Sequence, residues 1–185
     1  MSVECTFEEL DPHEQNGCYY PKGGIPAFGV LKTGWEAIIT DWTNATQVAA
    51  AITAGLLVIA KKVKAELTEP SPVEDEAITG CGSAENITDG FDYTLSVVDF
   101  NSSAANDEFY NQLNRSSFSG LVFYNCDEDT IFVVDKKINF SAALSIPATN
   151  RTRQRYTTSV TWYASVNDGM PVRYPAPAGI FDNAA

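Results

Sequence analysis

The stretch TQVAAAITAGLLVIAKKVKAEL, residues 46–67, decides between a membrane protein and a β-rich fold, because it begins as an apolar run and ends in alternating charges. The uninterrupted apolar run, 49–60, has 12 residues, whereas a membrane-spanning helix needs roughly 20. Gly55 lies where a left-handed helix C-cap would fall, and after it lysines alternate with apolar residues. The pattern therefore predicts a short helix, 48–54, a stop at Gly55 and then a long strand, with no membrane span.

Further strands are predicted on both sides of this stretch, because β-branched and aromatic residues are concentrated in short segments bounded by turn residues. These segments are IPAFGVLKT, WEAIITDW, FDYTLSVVDF, GLVFYNC, TIFVVD, KINFSAALSI and RQRYTTSVTWYASV. The cluster DEDT between two of them is typical of a hairpin turn. A helix is predicted over SAANDEFYNQLNR, where Ser102 or Ser103 can cap it and Phe109 and Leu113 stand four apart. We therefore predict a mainly β (α+β) fold, a β-barrel or β-sandwich with one or two short packed helices.

One domain is predicted, at residues 25–166. Residues 1–24 are polar and irregular, which predicts an N-terminal arm. Residues 167–185 carry three prolines without a clear period, which predicts an extended C-terminal tail. Inside the domain, residues 68–90 are rich in proline, acid and glycine. We predict an extended acidic loop there, either a mobile loop or an excursion between two strands, because connections of this length are uncommon in compact domains unless they are functional.

The charge of the chain excludes a protein that grips nucleic acid. The 185 residues have a formal net charge of −12, and no run of Lys and Arg is long enough to bind phosphates. An acidic surface is still compatible with a passage through which DNA slides, because repulsion prevents adhesion. The four cysteines are far apart and form no CxxC pair, so reduced thiols are expected.

Residues that could carry catalysis are few, and His13 is the single histidine. A zinc site would have to combine it with Cys5, Cys18 and Cys81, whose spacing matches no common zinc motif. The acidic clusters lie in predicted loops, where solvated charge is the usual explanation. No phosphate-binding loop, dinucleotide fingerprint or nucleophile elbow is present. We therefore expect a protein that is not an enzyme and has no cofactor and no metal.

Three parts of the sequence carry a resemblance to a known family. They are CYYPKGGIPAF at 18–28, then ITDWTNATQVAAAITAGLLVIAKKVKAELTEPS at 39–71, and finally CG at 81–82 with DEFYNQLN at 107–114 and LVFYNCDEDTIFVV at 121–134. Together they resemble structural proteins of tailed bacteriophages, especially the small tail-tube and head-to-tail ring proteins of phages infecting Bacteroidetes. The order of elements is similar over most of residues 18–166.

The resemblance implies a β-barrel or sandwich that repeats around an axis to form a ring, of six or twelve copies. Such rings stack into a tube or join it to the head, and DNA passes through the lumen as cargo that does not stick. The implied partners are copies of the chain and other virion tail or connector proteins, without a membrane. The implied location is the virion, assembled in the cytoplasm of the host bacterium.

The long strand after Gly55 and the acidic segment that follows it are the candidate assembly interface, because unpaired strands invite pairing with another chain. The residues proposed for this interface are Leu56, Val58, Lys62, Val63, Lys64, Leu67, Pro70 and Glu74. The alternative is a surface binding module, an adhesin or a carbohydrate-binding β-sandwich. In that case surface aromatics would stack on sugars, namely Tyr19, Tyr20, Tyr156 and Tyr174. A hydrolase using loop acids or Cys126 is the least favoured class.

Overall fold

The computed structural model describes residues 24–79, 83–126, 128–148 and 153–181. Within these ranges it contains strands β1 (Ile25–Leu31), β2 (Leu57–Leu67), β3 (Ser71–Thr79), β4 (Ser83–Asp99), β5 (Gly120–Asn125), β6 (Thr130–Val134), β7 (Asn139–Ser145), β8 (Arg155–Ser165) and β9 (Val172–Pro175). The α-helices are α1 (Ala45–Thr53) and α2 (Ala104–Arg115), and a short 3-10 helix spans Trp35–Ala37.

The strands form one antiparallel sheet in the order β7-β8-β4-β2-β1-β5-β6-β9, with β3 paired to β4 beside this path. The sheet folds over, so that side chains from β1, β5, β4 and β8 meet in one core. The end strands β7 and β9 do not pair with each other, so the sheet is not a closed barrel. The predicted mainly β class with few helices is confirmed, and the arrangement is consistent with a β-sandwich.

A bulge in β2 bends the sheet. Ala27 of β1 lies opposite Lys61, but the next pair is Ile25 with Ala65, so β2 accommodates two extra residues. Within the bulge Lys62 has a φ of 59°, which a non-glycine residue rarely adopts. Beyond it, β2 pairs with β4. A bulge that bends a strand where it gains a second partner helps to fold one sheet into two layers.

The strands β1 and β5 are buried on both faces. Phe28 and Val30 point into the inner core between the layers, whereas Ala27 and Leu31 point into an outer core. The outer core is covered by α1, by the segment after β1 and by Phe181. At Gly29, a Cβ atom would lie 2.8 Å from both Leu57 Cδ1 and Val122 Cγ1, so this outer face accepts only glycine without rearrangement.

The helix predicted before Gly55 is confirmed, and it begins three residues earlier than predicted, at Ala45. Asn44 is the N-cap, and its side chain accepts hydrogen bonds from the N–H groups of Thr46 and Gln47. Gly55, with a φ of 70°, ends the helix. In the described part of the chain, no helix has the length and apolar character needed to cross a membrane.

The second predicted helix is also confirmed. Ser103 caps α2 by accepting a hydrogen bond from the N–H of Asn106. Phe109 and Leu113 are fully buried and pack into the inner core. The helix therefore lies against the sandwich and supplies part of its hydrophobic interior.

The prediction of a strand at WEAIITDW is wrong. Gly34, with a φ of 93°, reverses the chain, and the 3-10 helix and turns follow. Trp35, Ile39 and Trp42 are buried at spacings of four and three, and the two indole rings lie 5.4 Å apart. The bulky residues that suggested a strand instead cover the outer core.

The described part of the predicted C-terminal tail packs on the domain. Its residues 172–175 form β9 and pair with β6, and Phe181 is fully buried. Residues 1–23 of the predicted N-terminal arm lie outside the described residues, and so do residues 182–185.

Candidate assembly surface

The strand β2, predicted as the main assembly element, is an interior strand between β1 and β4. Val58 and Val63 are core residues, with relative exposures of 9% and 0%. The prediction that these two side chains form an interface with another copy is therefore wrong. The physical reason is that the apolar face of β2 is buried in the core of its own sandwich, where residues 57–61 pair with β1 and residues 64–67 pair with β4.

The other six predicted interface residues do not form one patch. Leu56 packs on the outer core and Leu67 on the inner core, which places them on opposite faces of the sheet. Lys62 and Pro70 are half-buried, whereas Lys64 and Glu74 are exposed. An assembly role for the exposed pair stays a prediction.

The extended acidic loop predicted at 68–90 is instead a β-hairpin. β3 and β4 pair from Ser71 opposite Asp92 to Thr79 opposite Ser83, and so continue the pairing of β2 with β4. The sequence held a signal for this hairpin: two Ile-Thr pairs, at 78–79 and 87–88, flank a short connection that contains glycine. The acids and prolines around them favoured the loop interpretation.

The outer part of this hairpin has no third strand among those described. β8 pairs with β4 only from Gly90 to Asp99, and β2 pairs with β4 only near its far end. Residues 74–79 and 83–88, which we call the ribbon, therefore have only each other as strand neighbours among the described strands. Six residues of extended strand cover about 20 Å. Both edges of the ribbon thus present backbone N–H and C=O groups to which another strand can bind.

The base of the ribbon is held by Asp89. The register of the pair β3–β4 shifts there, because Val73 lies opposite Gly90 and Glu74 opposite Thr88. The carboxylate of Asp89 accepts a hydrogen bond from the Tyr163 hydroxyl, and its carbonyl accepts one from the Val166 N–H at 3.0 Å. The hydrogen bond to Asp89, together with loss of solvent, raises the pKa of Tyr163 to about 12. The ribbon is therefore anchored to β8 at a defined point.

The ribbon lies in a part of the sequence that has only negative charge. No Lys or Arg stands between Lys64 and Arg115, and this stretch holds eleven of the 24 acidic residues. Four of them, at 69, 74, 75 and 76, precede or lie within the first strand of the ribbon. Copies that meet through their ribbons must therefore overcome repulsion between like charges.

Two other sheet edges in the described structure, those of β7 and β9, are protected. On β7, the Asn114 side chain makes two hydrogen bonds with the backbone of Ala142. Asn114 Nδ2 donates to the Ala142 carbonyl at 2.8 Å, and the Ala142 N–H donates to Asn114 Oδ1 at 2.7 Å. β9 has four residues and ends at Pro175. Short strands, prolines and capped backbone groups discourage pairing with another chain. The ribbon is thus the exposed strand pair best suited to assembly.

The described residues contain no group of three or more His, Cys, Asp or Glu side chains that could hold a metal ion. The four residues of the zinc hypothesis lie outside the described residues. Cys126 is half-buried, and its thiol donates a hydrogen bond to the carbonyl of Gly24 at 3.3 Å.

The alternative of a sugar-binding surface loses one of its aromatics. Tyr156 is 2% exposed and stacks on Tyr110, with ring centroids 4.2 Å apart, so it is a core residue and cannot stack on a sugar. Tyr174 is half-buried beside the outer core. Tyr19 and Tyr20 lie outside the described residues.

No protein-family model, no curated protein and no solved structure matches this chain. The resemblance to phage tail proteins therefore stays a prediction. The features of this chain that bear on its function are the ribbon, the protected edges of β7 and β9, and the negative net charge.

Proposed function

We propose that this chain is a structural protein that assembles with copies of itself into a ring, as a component of a phage tail or head-to-tail connector. The ribbon is the observation behind the proposal. A two-stranded hairpin alone in water is marginally stable, and its edges bind a further strand readily. A ribbon about 20 Å long that leaves the sandwich is therefore expected to bind another chain.

Copies of the same chain are the partners that this arrangement favours. A projecting element that binds a different surface on the next copy makes a head-to-tail contact, and such contacts close into rings when the rotation permits. The protection of β7 and β9 removes two edges through which copies could otherwise pair, and this favours a single type of contact, as a ring requires.

The charge supports the conduit part of the proposal. A lumen lined by a chain with a net charge of −12 repels the phosphates of DNA, so DNA can slide through it. In this proposal DNA is cargo, the other partners are virion tail or connector proteins, and assembly takes place in the cytoplasm of the host bacterium.

A variant with a shortened ribbon tests the proposal. Residues 75–87 are replaced by Asn-Gly, so that Glu74 and Thr88, which already lie opposite each other, flank a two-residue hairpin turn. Sedimentation velocity and negative-stain microscopy of the full chain should show rings or defined oligomers. The shortened variant should sediment as a monomer, with a thermal unfolding midpoint close to that of the full chain.

The matched control is Glu74→Gln, which keeps the ribbon at full length and should still assemble. If the shortened variant forms the same oligomers as the full chain, the ribbon is not the assembly element. A full chain that stays monomeric at high concentration, alone and with virion tail proteins, would overturn the proposed function.

A further inference from the structure

A cavity of about 210 Å³ lies between the end of β6 and the end of β8. Its lining includes Val133 and Trp162, and two strongly exposed apolar residues, Met170 at 76% and Val172 at 55%. At its rim the Lys136 ammonium lies 2.7 Å from the Asp168 carboxylate, and this contact is the main reason why the pKa of Asp168 falls to about 2. A mostly apolar cavity with exposed apolar residues beside it has the shape and chemistry to accept an apolar side chain.

A strand edge of β8 runs beside this cavity. β7 begins at Asn139, opposite Thr161, so residues 162–165 have only β4 as a strand neighbour among the described strands. The N–H of Val166 points to β4, because it donates to Asp89, and the N–H of Ser165 points the other way and donates to Asp168. Since alternate residues of a strand present their hydrogen-bonding groups to the same side, the N–H and C=O of Tyr163 also face this outer edge.

We propose that the chain's own N-terminal segment, residues 2–8, binds this edge of β8 as an added strand and places an apolar side chain in the cavity. The sequence of the segment, SVECTFE, alternates in the manner of a half-buried strand. Its apolar positions are Val3, Cys5 and Phe7, and its polar positions are Glu4, Thr6 and Glu8.

The chain between this segment and the described structure is long enough. The carbonyl of Gly24, the first described residue, accepts a hydrogen bond from the N–H of Cys126, which lies beyond the end of β5. The cavity lies at the other end of the β5–β6 hairpin, beside Val134. The length of β6 is about 17 Å, whereas residues 9–23 can extend over about 50 Å. The segment can therefore reach the cavity of its own copy or that of a neighbour.

The charges at the rim compensate each other. Lys137 is exposed and Lys136 is paired with Asp168, while Asp135 is also exposed there. The two lysines balance the carboxylates of Asp135 and Asp168, so this rim repels the carboxylates at positions 4 and 8 less than the acidic stretch between Lys64 and Arg115 does.

Disulfide capture in the full chain tests the proposal, because the segment carries Cys5. Met170→Cys places a thiol at the mouth of the cavity, and mild oxidation followed by peptide mapping by mass spectrometry identifies its partner. We expect a disulfide between Cys5 and the thiol at position 170 to form at least tenfold more than any other pairing of that thiol. The matched control, Thr53→Cys at the exposed end of α1, should capture Cys5 no more than background.

Adding Phe7→Asp to Met170→Cys should reduce the capture to the level of the control, whereas adding Glu9→Gln, outside the segment, should leave it unchanged. Capture of Cys81 in preference to Cys5 would show that the ribbon of another copy occupies the cavity, and the proposal would be abandoned. Capture equal to that of Thr53→Cys would also overturn it. Non-reducing electrophoresis separates binding within one copy from binding between copies, and either result supports the proposal even if no ring forms.

Discussion

At the scale of single residues, a buried hydrogen-bond network connects α2 to β4. Asp99 is only 1% exposed, and one of its carboxylate oxygens accepts a hydrogen bond from the Tyr110 hydroxyl at 2.9 Å. The other accepts a bond from the N–H of Asn101 at 2.8 Å. A charge-assisted hydrogen bond in a buried place contributes more to stability than an exposed one.

Removal of the Tyr110 hydroxyl should therefore destabilise the fold. We expect Tyr110→Phe to lower the free energy of unfolding by about 1–3 kcal/mol at pH 7, because a buried carboxylate loses a donor. Urea denaturation measures this change. The control Tyr163→Phe removes the hydroxyl of a ring that is 40% exposed and should have a smaller effect. Equal losses in the two variants would contradict the prediction.

Tyr110→Phe should also change how the stability of the fold depends on pH in the alkaline range. Burial, and then the Asp99 carboxylate, raises the pKa of Tyr110 well above 10.0. Above pH 10 the unfolded chain releases a proton that the folded chain keeps, so stability falls as pH rises, by up to about 1.36 kcal/mol per pH unit for one proton. The difference in the free energy of unfolding between the original chain and Tyr110→Phe should therefore be largest below pH 10 and become smaller above pH 10. A constant difference up to pH 12 would show that Tyr110 does not hold its proton in this way.

At the scale of elements, the single side chain of Asn114 protects the edge of β7. We expect Asn114→Ala to lower the free energy of unfolding by about 1–2 kcal/mol, because two hydrogen bonds to the Ala142 backbone are lost. The variant should also associate more strongly with other copies through β7. Asn111→Ala, an exposed asparagine on the same helix, is the control and should change neither property. Urea denaturation and light scattering measure the two effects. If Asn114→Ala remains as soluble and as stable as the control, the edge does not need this contact.

The helices and strands also show which parts of the fold can be predicted from the sequence. Both α-helices were predictable because their determinants are local: caps at Asn44 and Ser103, and a glycine stop at Gly55. The interior position of β2 was not predictable, because it depends on β1 and β4, which are distant in sequence. The ribbon was missed because its acids suggest a solvated loop, although its pairing uses the backbone, which the side-chain pattern does not report.

At the scale of the whole molecule, the net charge of −12 opposes assembly of identical copies. On the ribbon's side, the proposed contact uses backbone edges in a stretch without a single Lys or Arg, so salt should screen the repulsion between the acidic copies and leave the contact itself intact. The Debye length falls from about 10 Å at 0.1 M to about 3 Å at 1 M ionic strength. We therefore expect the full chain to assemble more strongly as NaCl is raised over this range.

Sedimentation velocity at several NaCl concentrations measures this dependence, and the chain shortened at the ribbon should not respond, because it lacks the contact. Replacing acids of the ribbon by their amides, as in Glu74→Gln, should make assembly at low salt stronger for the same reason. If salt instead weakens assembly, the ribbon must bind a surface of opposite charge. The three lysines at 61, 62 and 64 would then be the first surface to test, because they are the densest group of cations in the sequence.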